Sequence, residues 1–233
     1  MKILLTILLC ATTLATAHSA TVIDENTTWT LDGSPYIVNE SIEVAPRVSL
    51  SIEPGVRVVG NDMSSVTINV KGTLNAMGTA KRPVQFSNLL IKSTAEEFTR
   101  SPSVFLKHCK FLKVNFFIAD VSKLVLKSSF IDRTAKFSIR RSREIEIHQN
   151  TFMDSRGIVF STQKEDQYIT QNTFIRPQEY ALFVHRGYDE EGKMIISQNN
   201  FLEVGSLAIV VGKYGLVAAM NNYWGITETT VIE

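Results

Sequence analysis

Apolar residues recur along this chain in short alternating runs, with little sign of helical spacing. In Val48 to Asn61 (VSLSIEPGVRVVGN), Leu50, Ile52, Val56 and Val58 alternate with polar neighbours around Pro54-Gly55, which predicts strand, turn, strand. Ser64 to Phe86 repeats the pattern: Val66, Ile68 and Val70 share one face, Gly72 marks a corner, Leu74 opens a second run, and Val84 and Phe86 follow another turn. Thr21 to Pro46 is irregular and reads as a short strand and turn closing one end. Lys92 to Ser103 is polar without periodicity and reads as a loop.

From Val104 the alternation acquires a grammar. IEIHQNTF (Ile145 to Phe152) returns as YITQNTF (Tyr168 to Phe174), IISQNNF (Ile195 to Phe201) and VAAMNNYW (Val217 to Trp224). Counting by the ring residue aligns Phe111, Phe130, Phe152, Phe174, Phe201 and Tyr223 at intervals of 19, 22, 22, 27 and 22. Two residues earlier stand Cys109, Ser128, Asn150, Asn172, Asn199 and Asn221, and five earlier Leu106, Val125, Ile147, Ile169, Ile196 and Ala218. Self-similarity at this period is the signature of a stacked solenoid. A second apolar run follows each corner: Ile158 to Phe160, Ala181 to Val184, Leu207 to Val211. It is rich in β-branched residues where a leucine-rich repeat places a helix-like segment, which favours a parallel β-helix. Stacked asparagines are expected to hydrogen-bond along a corner, with a left-handed backbone that asparagine tolerates, and the rings to form the core. A corner amide is expected to contribute less than a core ring.

Composition changes this picture little. The 233 residues are 44% hydrophobic and 20% charged, ordinary for one soluble domain. Residues 1–20 carry Lys2, the apolar run Ile3 to Cys10 and a small-residue stretch ending Ala15-Thr16-Ala17, the pattern of a secretory signal; an anchor at Cys10 is the rival, disfavoured by the bulky Leu9. The domain is then 21–233, secreted, extracellular or periplasmic. Removing Lys2 leaves 23 basic against 23 acidic residues, so net charge names no partner. Cys109 remains alone and no disulfide forms within the chain. Asn26 and Asn39 open glycosylation sequons for a host that uses them. No later run is long and apolar enough for a membrane anchor.

Candidate chemistry is sparse. Asp132 and Asp154 each follow their ring by two residues, with Arg176 and Glu203 next in that column; enzymes on such folds need acids clustered across coils. His108, His148 and His185 fall on different coils without metal-ligand spacing, and no phosphate loop or nucleic-acid module appears. No catalytic residue, metal or cofactor is assigned. From Lys107 to Arg143 ten basic residues face only Asp120 and Asp132. Lys136, Arg140, Arg141 and Arg143, with Arg186, Tyr188 and Asp189 from the insertion that lengthens one interval to 27, are the candidate ligand-binding residues.

SLSIEPGVRVVG, then INVKGTLNAMGTAKRPVQF, the asparagine-bearing coils and finally NNYWG resemble the secreted right-handed parallel β-helix proteins of the pectate-lyase-like superfamily. The chain is most similar to those non-enzymatic surface proteins whose arrays open on a PGV and GTLNA pair and close on N-x-W-G. The resemblance implies an all-β, right-handed parallel β-helix of roughly eight coils with a short N-terminal cap. It implies a non-catalytic recognition module, with an anionic glycan or a cell-surface protein as partner. The alternative it leaves is a polysaccharide lyase of the same superfamily, since one fold hosts many functions.

Overall fold

The computed structural model describes residues 20–61, 66–95, 101–161, 165–185, 192–205, 207–213 and 216–225. They form a right-handed parallel β-solenoid of about eight turns. Among the described residues every strand pairing is parallel, and the only helical piece is a single 3-10 turn, Leu31–Gly33. The leucine-rich-repeat alternative is excluded by the second apolar runs, which are strands such as Ile158–Ser161 and Leu207–Val211.

Each turn has three legs. One leg builds a nine-stranded sheet, with one strand per turn from Thr27–Trp29 to Val217–Met220. A second, the ring leg, carries the aromatic column, for example Thr151–Met153 and Thr173–Ile175. The third leg includes Phe137–Arg140, Ile158–Ser161 and Tyr180–His185. In two turns the ring leg and third leg run together as single eleven-residue strands, Val84–Thr94 and Cys109–Ala119, joining these two faces into one fifteen-stranded sheet. Alternation sends one set of side chains inward on every leg, giving a continuous core from Trp29 to Phe201.

The register corrects the column alignment by one residue at two coils. Phe111 lies over Ile131, which lies over Phe152, Phe174 and Phe201 in turn. Phe130 is the outward neighbour of Ile131, and Tyr223 is 56% exposed while Trp224 stacks on Phe201 at 4.8 Å. The aliphatic column shifts likewise, with Leu126 below Ile147 and Ala219 above Ile196. Burial, and not aromatic identity, sets the register, and at Phe130-Ile131 and Tyr223-Trp224 two apolar residues adjoin, so ring counting took the wrong one.

The corner between the nine-stranded sheet and the ring leg holds a ladder of Cys109, Ser129, Asn150, Asn172, Asn199 and Asn222. Each member's backbone N–H donates to the side-chain oxygen of the next, at 2.9–3.0 Å. Ser129 and Asn222 thus replace Ser128 and Asn221. The left-handed residue is the one before the amide: Gln149, Gln171 and Gln198 have φ of 57–58°. The asparagine side chain serves as a hydrogen-bonding spine, and the bend is made by its neighbour. Cys109 ends the ladder with its thiol directed at the carbonyls of Ala76 and Lys107, and burial pushes the thiol pKa strongly upward, so it is held protonated and unreactive.

Two other expectations change. Thr21 to Pro46 is a coil in its own right: Thr21–Ile23, Thr27–Trp29 and Tyr36–Val38 each pair with the next turn, and Trp29 stacks on Tyr36 at 4.6 Å. Strand also continues through Lys92 to Thr94, where Ser93 occupies an inward position and donates to the Val70 carbonyl at 2.9 Å. A serine in a core position hid that strand from a hydrophobic reading. Residues 1–19, including most of the expected signal, lie outside the described residues.

Candidate binding face

The stack distributes the ten basic residues around the whole circumference. Lys107, Lys123 and Lys127 project from the nine-stranded sheet, where Lys123 pairs with Glu144 and Glu146; those contacts raise the Lys123 pKa and lower that of Glu146. Lys110 lies on the ring leg, while Lys113 and Arg133 occupy left-handed positions at the next corner. A single basic groove built from all ten does not form.

Four of the candidate residues stay together on the third leg and the corner after it. Arg140 lies at the end of Phe137–Arg140, with its guanidinium carbon 5.6 Å from the centroid of the Phe117 ring, and Lys136 Nζ is 6.0 Å from the same centroid. Such distances allow cation–π attraction. Lys136 is positioned by Asn115, whose Oδ1 accepts from the backbone N–H groups of Ala135 and Lys136 at 3.1 and 3.0 Å. Arg140 Nε also donates to Ser138 Oγ at 3.4 Å. Arg141 turns the corner in left-handed conformation and forms a bidentate pair with Asp120, both contacts 2.8 Å. Arg143 is exposed; its N–H donates to the Val121 carbonyl, and its own carbonyl accepts from Gln167.

Strand register continues this face along the solenoid. Lys92, Phe117, Ser138, Val159 and Phe183 stand over one another on successive turns, about 4.8 Å apart. The outward strand positions from Lys92 to His185 contain no carboxylate. Among the described residues neither Lys136 nor Arg140 has an acidic partner, and Phe117 is partly exposed. Sequence reading missed Phe117, Lys92 and Phe183: Lys92 fell in a stretch read as a loop, and Phe183 in an apolar run where its outward place was the signal. Arg186, Tyr188 and Asp189 lie outside the described residues.

The acid pair does not assemble. Asp132 is an outward strand residue over Met153, paired with Arg133 at 3.0 Å. Asp154 is a corner residue, clamped by Arg176 at 2.8 Å, and Arg176 also reaches Glu203 at 3.2 Å. Arg176 lowers the Asp154 pKa, and Asp154 raises that of Arg176. An acid held ionised against an arginine is a structural pair and a poor proton acceptor. No three acids, histidines or cysteines among the described residues converge as a metal site. Asn26 and Asn39 are both exposed, and Asn26 Oδ1 accepts from the Ser49 backbone at 2.9 Å. No helix among the described residues is long and apolar enough to cross a membrane.

Comparison of the chain with family models, with curated proteins and with solved structures finds no match.

Proposed function

We propose that the protein is a secreted, non-catalytic β-helix module of the pectate-lyase-like type that binds an anionic glycan through its third-leg face. The observation that supports this reading is the Phe117 ring flanked by Lys136 and Arg140 on a strand face without acids. A partly exposed aromatic ring offers its face to a pyranose, and unpaired cations beside it attract carboxylate or sulfate groups. Elsewhere the described arginines in pairs are neutralised by acids, as in Arg141 with Asp120 and Arg176 with Asp154.

The test is retention on a sulfated or uronate matrix. The parent is expected to bind and to elute as salt rises, because exposed charges are screened over about 8 Å at physiological ionic strength. Phe117→Ala and the pair Lys136→Glu with Arg140→Glu should each abolish retention, whereas Lys107→Glu on another face should not. Absence of binding by the parent, or equal binding by Phe117→Ala and the charge-reversed pair, overturns the reading. A calcium-dependent release of unsaturated uronate would replace it with the lyase alternative.

A further inference from the structure

A polar cavity of about 240 Å³ opens where the third leg turns into the nine-stranded sheet near the N-terminal end. Its walls come from three consecutive turns. Ser49 lies beneath Thr73, and Thr73 beneath Ser103, in one outward column of the nine-stranded sheet, so three hydroxyls stack at the coil repeat of about 4.8 Å. Ser103 Oγ shares a hydrogen bond with Ser122 Oγ at 2.8 Å. The Ser49 and Thr73 hydroxyls have no partner among the described residues, although the Ser49 backbone N–H is satisfied by Asn26.

Two cations border these hydroxyls. Arg47 stands at the corner in left-handed conformation, φ 67°, and its exposed guanidinium has no partner among the described residues. Lys71 also lines the cavity, and its ammonium is paired with Glu43 at 2.9 Å. Gly72 forms the floor. A side chain there would collide with the carbonyl oxygens of Val48 and Ala45, so the close approach of the two turns requires a residue without Cβ.

Hydroxyl donors on two turns beside a free guanidinium are the complement of a group with several anionic oxygens pointing in different directions. Arginine suits such oxygens through its planar fork. We propose that this cavity binds a tetrahedral oxyanion, a sulfate or phosphate group presented by an ester or as the free ion. The proposal does not rest on the glycan reading, since it uses other residues on earlier turns of the solenoid.

The experiment is a titration of the full chain, followed by backbone amide NMR, with inorganic sulfate and inorganic phosphate in separate arms. Saturable shifts are expected around Ser49, Thr73 and Ser103. Arg47→Asn keeps a residue suited to the left-handed corner and removes the charge; it should weaken binding about tenfold, the scale of one charge-assisted contact. Thr73→Val keeps the strand and removes the hydroxyl, and should weaken binding by a similar factor. A sulfated monosaccharide binding more tightly than free sulfate assigns the site to an ester, and equal binding assigns it to the ion. Non-saturable shifts in the parent, or affinity unchanged in both variants, overturn the proposal.

Discussion

Asn172 illustrates how much one side chain does in this fold. It is fully buried; its Oδ1 accepts from both the backbone N–H and the Nδ2 of Asn150, and its Nδ2 donates to Ile147, Thr170 and Asn199. Phe174, two residues on, is buried between Phe152 at 4.9 Å and Phe201 at 5.2 Å. Emptying the ring position by Phe174→Ala should cost about 3 to 5 kcal/mol. The sequence suggested a milder effect for Asn172→Ala, but this substitution removes the acceptor of the buried Asn150 N–H and the donor to the Ile147 and Thr170 carbonyls, and a buried group left unpaired costs about 1 to 3 kcal/mol. The two variants should therefore lose comparable stability in denaturant titration. A midpoint for Asn172→Ala close to that of the parent would mean that the ladder is solvated. That the asparagines stack was legible from their spacing; that they are fully enclosed was not, because burial depends on the coils on either side.

At the scale of the element, most strands from Leu50 onward were predictable and the left-handed corners were not. Alternation over Leu50 to Val58 and the repeated apolar–amide–ring unit identified the legs, since period two and stacking both leave a record in hydropathy. Corner geometry leaves little record: Lys113, Arg133, Asp154, Arg176 and Glu203 are all left-handed residues in one column, yet share no chemistry except charge. Their common property is backbone shape, and side-chain identity is free to serve pairing. Asp154 shows the consequence for pH. Its folded pKa lies below the ordinary carboxylate value of about 3.9 because Arg176 bonds the ionised form, so its contribution is present above that value and lost as pH falls through the depressed one. Arg176→Gln should therefore melt slightly below the parent at neutral pH, and the gap should close in acid. A gap independent of pH and of salt would assign Arg176 a packing role instead. The binding face was half legible for a related reason: charge clustering in sequence flagged Lys136 and Arg140, but only the stack separates them from Lys107 and Lys110 and brings Phe117 beneath them.

For the molecule as a whole, each turn touches only its neighbours, so stability accumulates from turn-to-turn interfaces. Among the described residues Val217–Met220 and Leu207–Val211 pair on one side only, and Leu207, Val211 and Met220 are 58%, 49% and 56% exposed. Hydrogen exchange should be slowest near Phe111 to Phe174 and faster in Val217–Met220, consistent with local opening from an end. Because Thr151 stands directly under Thr173 and Phe152 under Phe174, the 22-residue stretch from Thr151 to Asn172 is one complete lap of the chain. Excising it brings Thr173 onto the position Thr151 held, with Phe174 over Ile131 and every later column intact. The shortened chain should fold with the same circular dichroism and a lower melting temperature, whereas removing a few residues fewer should leave it unfolded. Length, in such an architecture, is a quantity that evolution or an engineer can change only in whole laps, and a protein of this design can be lengthened along its axis without redesigning any face it already presents.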